Sequence, residues 1–124
     1  MTPREHLEYA ARAMGFRTAG YNDHGGFEVP IKGFSLHRWW NPRTDQADSD
    51  RMAAKLRIST AFGVDHFGNI VIVASADLAN GHTYLMRIVV SRANIEHGNN
   101  ADEDVCRAVR EARLLVAVEI GRQM

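Results

Sequence analysis

The chain of 124 residues has little cysteine, little proline and no excess charge of either sign. Its one cysteine, Cys106, excludes an internal disulfide and is typical of a reducing compartment. Because 15 basic residues balance 15 acidic ones, the charge argues against a nucleic-acid partner. No apolar run reaches the roughly 18 residues that span a bilayer, and residues 1–6 lack a signal-peptide core. We therefore expect a cytoplasmic protein with no membrane partner.

Catalytic and cofactor motifs are also missing. The sequence has no nucleophile elbow, no phosphate-binding glycine loop and no paired histidines on a helix. We therefore predict no catalytic residue, no metal and no cofactor. His66, His82 and His97 occupy predicted turns, and they would form a zinc or catalytic site only if those turns met at one end of a sheet. Solvated loop histidines are the favoured interpretation, and Cys106 is expected to be a small buried core residue.

The length of the chain and the spacing of its apolar residues predict a single domain over residues 1–124 with both helices and strands. Its apolar fraction of 45% and charged fraction of 24% are ordinary for a globular protein. The spacing of apolar residues predicts helices over about 2–15, 44–57 and 100–121, and strands over about 58–65, 69–76 and 83–91. Two further short strands are expected around 27–29 and 34–40.

Helix boundaries follow from capping residues. Thr2 and Glu5 form a capping box at the start of the first helix, and Gly15 is suited to end it. Asp45, Asp48 and Asp50 crowd the start of the second helix, where the helix dipole favours negative charge. Because this spacing lacks the glycine and distal glutamate of a calcium loop, capping is the favoured interpretation. Gly121 is expected to end the last helix.

The strands predict the layers of the fold. Residues 70–74 and 84–90 are apolar at nearly every position, whereas a strand with one wet face alternates. We therefore expect an α+β protein with a mostly antiparallel sheet of four to five strands, covered by helices on both faces. The predicted buried core comprises Ile72, Val73, Met86, Ile88, Val109, Val116 and Ile120.

The segment 37–56 carries both tryptophans, an Asn41-Pro42 turn, spaced aspartates and an amphipathic helix. This segment resembles the central motif of the phage ABA sandwich domain family, in which a Trp-x-Pro precedes spaced aspartates and a helix like Arg51–Leu56. The segment from Val105 to Gly121 is similar to that family's C-terminal helix. The doubled tryptophan, the long connection 19–32 and Leu114-Leu115 depart from the family pattern. The resemblance implies a phage or prophage origin and helices flanking a sheet, and it supplies no catalytic residues.

Trp39 and Trp40 are the strongest candidates for a binding site. Adjacent residues of a strand point to opposite faces, so one ring enters the core while the other packs under a helix or faces solvent. An exposed tryptophan beside Arg38 and Arg43 would anchor a protein partner or stack a nucleotide base. The alternative is that both rings only pack.

A second candidate surface is the basic face of the last helix. Arg107, Arg110 and Arg113 recur there at helical spacing, and a stripe of this kind can meet phosphates or an acidic partner. The favoured interpretation is a solvated face on which arginines pair with neighbouring acids.

Three functions remain open. The first is a small phage accessory protein that binds a host or phage protein, plausibly as a counter-defence or host-takeover factor. The second is a protein that sequesters a nucleotide-type signal molecule, and the third is an enzyme that uses the turn histidines. We also expect a homodimer, because the apolar segments 27–29 and 34–36 could leave a sheet edge available for pairing.

Overall fold

The computed structural model describes residues 1–31, 36–91 and 101–124. In these ranges the helices are α1 (Pro3–Met14), α2 (Gln46–Leu56) and α3 (Ala101–Arg122). The strands are β1 (Tyr21–Asn22), β2 (Gly26–Pro30), β3 (His37–Trp40), β4 (Ser59–Val64), β5 (Ile70–Asp77) and β6 (Thr83–Val90). The predicted helices and the three long strands are confirmed, with ends that differ by two residues or fewer.

The predicted caps are largely confirmed. The Thr2 hydroxyl accepts a hydrogen bond from the Glu5 amide at 3.1 Å, and the Glu5 carboxylate accepts one from the Thr2 amide at 3.2 Å. Gly15 ends α1 in the left-handed conformation, with φ of 76°. Asp45 caps α2 by accepting from the Asp48 amide at 2.9 Å. The expectation for Gly121 was wrong, because α3 continues through it to Arg122.

The described strands form two antiparallel sheets of three strands rather than the predicted sheet of four to five. The first sheet has the order β1-β2-β3 and the second the order β4-β5-β6. Helix α2 lies between β3 and β4 in the chain, which separates the two sheets. The fold class is α+β, as predicted.

The expected cover of helices on both sheet faces is not confirmed. Helix α3 packs against β5 and β6, and it buries the face that carries Ile72, Ala74 and Ala76. Helices α1 and α2 contact α3, and α1 also contacts β2. On the opposite face of the second sheet, Leu85 is 58% exposed and Val89 is also exposed. In the described parts of the chain, no helix covers that face.

The predicted core is therefore only partly correct. Ile72, Val109 and Val116 are buried, as expected. Met86 and Ile88 are half-buried against the core because they lie on β6, an edge strand, and Ile120 of α3 is half-buried as well. Val73 is half-exposed because its side chain lies on the uncovered face of β5.

The first of the two segments expected to provide a dimer edge does not do so. Phe27 and Val29 lie in β2, the central strand of the first sheet, and both are buried. In the second predicted edge segment, residues 34–35 lie outside the described residues. Among the described helices, none combines the length and apolar character required to cross a membrane.

Candidate binding sites

The two adjacent tryptophans have opposite environments, as the strand geometry predicts. Trp40 is 0% exposed, and its ring meets that of Phe16 edge-on at 5.3 Å between centroids. Its indole N–H has no hydrogen-bond partner among the described residues. Trp39 is 47% exposed. Trp40 is thus a core residue, while Trp39 remains a candidate for contact with a partner.

The Trp39 ring lies against the turn that precedes β2. A Cβ atom on Gly25 would be 3.0 Å from two atoms of the indole ring, so the glycine allows the ring to rest close to the backbone. Across the sheet, Trp39 pairs with Glu28. One side of the indole is therefore supported by the protein, which fixes its position at little cost in side-chain entropy on binding.

Arg38 does not join Trp39 in one site, contrary to the sequence-based expectation. Because the two residues are adjacent on β3, Arg38 lies on the face of Trp40. Its guanidinium donates to Asp48 at 2.8 Å. Asp48 is buried and also accepts from the Asn41 amide at 3.0 Å. Asp48 therefore stabilises the turn between β3 and α2, in addition to its expected role at the start of α2.

Three of the predicted arginines do come together, between the turn before α2 and the first half of α3. Arg43, Arg107 and Arg110 line a cleft of about 350 Å³ with Thr44 and Glu103. The Arg110 Nε atom donates to the Arg43 carbonyl at 2.9 Å. Arg107 is largely exposed and lies 4.0 Å from the Glu103 carboxylate. The cleft thus presents guanidinium groups, with one fixed by a backbone contact.

Arg43 is held from two other sides. Its Nε atom lies 3.4 Å from a carboxylate oxygen of Glu111, and its Nη2 atom lies 3.1 Å from Nδ1 of His6. Burial and the Arg43 charge together hold the pKa of His6 below its usual value of 6.5. Neutral His6 can accept a hydrogen bond from Arg43. Sequence reasoning missed His6, because no local pattern connects positions in α1 and in the turn before α2.

Arg113 was expected to share a solvated basic face with the other α3 arginines, and this expectation was wrong. Its guanidinium is mostly buried, lies 2.7 Å from Asp50 and donates to the Thr60 hydroxyl at 3.1 Å. Hydrogen bonds from Arg113 and Gln46 lower the pKa of Asp50. Arg113 therefore ties α3 to α2 and β4 instead of facing a partner.

The histidine and cysteine expectations have separate outcomes. His66 and His82 lie in the turns at opposite ends of β5, about 26 Å apart for a strand of eight residues. They cannot share a metal or a substrate, and His97 lies outside the described residues. Cys106 is exposed rather than buried, because it lies off the apolar stripe of α3. No group of three metal-ligating side chains occurs within residues 1–31, 36–91 and 101–124.

The uncovered face of the second sheet was not anticipated as a site. It carries Val71 and Val73 on β5 and Leu85 and Val89 on β6. Arg87 lies between the two β6 residues and pairs with Val73 across the sheet. Among the described residues, no carboxylate lies within ion-pair distance of Arg87. The near-continuous apolar character of β5 and β6 indicated this surface, but it was interpreted as a face buried by a helix.

Comparison of the chain with protein-family models, with curated proteins and with solved structures gives no match.

Proposed function

We propose that this chain is a small phage or prophage accessory protein that acts in the host cytoplasm by binding a host protein, as a counter-defence or host-takeover factor. The resemblance of segment 37–56 to the phage ABA sandwich family supports the phage origin. The observation that supports protein binding is the apolar, uncovered face of the second sheet.

The composition of that face favours a protein partner. Val71, Val73, Leu85 and Val89 lie on the same face of the second sheet, and exposed apolar surfaces of this kind mark interaction sites. Arg87 lies between Leu85 and Val89 on β6, and arginine is enriched among residues that carry binding energy. Full desolvation of its guanidinium needs an opposite charge. The expected partner surface is therefore apolar with a carboxylate opposite Arg87.

Site-specific photocrosslinking in host lysate tests this proposal. A photoreactive phenylalanine analogue at Leu85 is expected to capture a defined protein, identified by mass spectrometry. The matched control places the same analogue at Phe67, which is 69% exposed but lies in the turn between β4 and β5. Equal capture from both positions, or none from Leu85, would contradict the proposal.

Trp39 offers a second contact surface for the same function. Its supported, half-exposed indole is a suitable anchor, so Trp39→Ala is expected to weaken binding by about 2 kcal/mol if the partner reaches β3. The melting temperature should change little, since most of the ring already faces solvent or the turn. If only Trp39→Ala, and not variants at Leu85, reduces binding, the binding surface lies on the first sheet.

The second candidate function is sequestration of a nucleotide-type signal, and the cleft lined by Arg43, Arg107 and Arg110 favours it. Guanidinium groups bind phosphate through paired hydrogen bonds. Glu103 and Glu111 nearby offset part of the positive charge, which weakens this alternative. Titration with nucleoside mono- and diphosphates, monitored by NMR, would shift the Arg107 and Arg110 side-chain signals if this alternative is correct.

A further inference from the structure

We propose that two copies of this chain pair through β4, edge to edge and antiparallel, to form one continuous sheet of six strands. The proposal is independent of the partner-binding function, because it uses the edge of the second sheet and not its uncovered face. It rests on the free edge of β4, the apolar side chains along it and the charges at its two ends.

Strand β4 is an edge strand that lacks the usual protection. Among the described strands only β5 pairs with it, on one side, and its six residues, Ser59–Val64, contain no charge and no proline. Natural edge strands are blocked by charges, prolines or short length. The other described edges have such features: β1 has two residues, β3 contains Arg38, and β6 contains Arg87.

Two large apolar side chains of β4 are also exposed in the single chain. Phe62 is 62% exposed, and Val64 is exposed as well, although both lie on the face that α3 covers further along the sheet. Arg113 of α3 donates to the Thr60 hydroxyl, two residues before Phe62. A strand added beside β4 would cover these apolar groups.

The charges at the ends of β4 select the occupant and its direction. Arg57 precedes the strand and Asp65 follows it. Desolvation raises the pKa of Asp65, but hydrogen bonds from Asn69 and Phe67 outweigh this effect and lower the pKa overall. Asp65 is therefore ionised at neutral pH. A second copy running antiparallel places Asp65 near Arg57 at both ends, whereas a parallel copy places like charges together.

The same charges fix the register. Arg57 and Asp65 are equally distant from Ala61, so the two-fold axis passes between the two copies of Ala61. Phe62 of each copy then lies opposite Thr60 of the other. Pairs of an aromatic and a β-branched residue across neighbouring strands stabilise sheets. Ser59, Ala61 and Gly63 line the other face, where their small side chains allow close approach.

Sedimentation equilibrium from about 1 to 200 μM tests the pairing. We expect the mass to rise from one 13.9 kDa chain towards twice that value. Phe62→Lys should raise the dimer dissociation constant at least about tenfold, because it places charges on the edge. Leu36→Lys, at an exposed apolar residue next to the first sheet, is the matched control and should leave the dissociation constant unchanged. A single-chain mass at every concentration would overturn the proposal, as would a dimer that Phe62→Lys does not weaken.

Disulfide trapping tests the register. In a Cys106→Ala background, Ala61→Cys should form an intermolecular disulfide readily, because directly opposite residues have Cβ atoms about 4.5–5.5 Å apart. Ser59→Cys is the control, since its two copies would be offset by about 13 Å along the strands. If Ser59→Cys crosslinks as fast as Ala61→Cys, the proposed pairing is wrong.

Discussion

Gly121 and Tyr9 bring two helices into backbone contact. A Cβ atom on Gly121 would lie 1.9 Å from the Tyr9 carbonyl oxygen, a distance that no side chain could occupy. Helix α3 therefore carries a glycine near its end because α1 crosses it there. Close packing of α1 against α3, and not termination of α3, therefore accounts for the glycine at position 121.

The first prediction concerns this contact. Gly121→Ala should lower the free energy of unfolding by about 1–3 kcal/mol, although alanine favours helices by about 1 kcal/mol over glycine. Gly63→Ala is the control, because a Cβ there would meet no atom within 4 Å. Urea unfolding measures both. A stabilised Gly121→Ala variant would show that α1 and α3 do not approach this closely.

The second prediction concerns the buried carboxylate of Asp48. Asp48→Asn replaces an acceptor of Arg38 and of the Asn41 amide with a group that is half donor, so it should cost about 2–3 kcal/mol. Asp102→Asn, at an exposed position in the first turn of α3, should cost less than about 0.5 kcal/mol. Denaturant unfolding at pH 7 distinguishes them. Equal small losses would mean that Asp48 only caps the helix.

The third prediction concerns the pH dependence contributed by His6. Its folded-state pKa is lowered from 6.5, first by burial and then by Arg43. The unfolded chain therefore binds this proton more tightly, and the stability from neutral His6 is present above pH 6.5 and lost as the pH falls towards the folded pKa. His6→Gln should flatten the fall in unfolding free energy below pH 6.5. An unchanged slope would contradict the assignment.

NMR titration separates the two causes. Arg43→Gln should raise the pKa of His6 towards 6.5, because it removes the neighbouring charge while much of the burial remains. Arg57→Gln, at an exposed position after α2, serves as the control and should leave the His6 titration unchanged. A His6 pKa that does not respond to Arg43→Gln would show that burial alone causes the shift.

The fourth prediction compares the two faces of β5. Ile72 faces α3 and is fully buried, so Ile72→Ala should cost about 2–5 kcal/mol. Val73 lies on the uncovered face, so Val73→Ala should cost under about 1 kcal/mol. Thermal or urea unfolding measures both. A loss of about 2 kcal/mol for Val73→Ala would mean that another segment covers this face.

The sequence predicts the secondary structure well, because the signals are local. Thr2, Glu5 and Gly15 determine the bounds of α1 through contacts within one turn of the helix. Strand β5 was predicted from its apolar run, but the same run was interpreted as covered on both faces. Apolar composition indicates that a surface is suited to burial. It does not show whether a helix of the same chain or a different molecule covers that surface.

The candidate site could be predicted only in part, for the same reason. The opposite environments of Trp39 and Trp40 follow from the alternation of a strand. The separation of Arg38 from Trp39 follows from that alternation too. The salt bridge between Arg38 and Asp48 cannot be predicted without knowing the path of the turn between β3 and α2. The contact between Arg43 and His6 joins positions 37 apart in the sequence, and no local pattern encodes it.

The affinity of the photocrosslinked partner for wild type, Leu85→Asp and Phe67→Asp tests the central claim most directly. We expect Leu85→Asp to weaken binding at least about 100-fold, since it places a charge within a desolvated apolar contact. Phe67→Asp should bind like the wild type, and circular dichroism should confirm that both variants are folded. A partner that binds Leu85→Asp with wild-type affinity would contradict the assignment of the uncovered face as the binding surface.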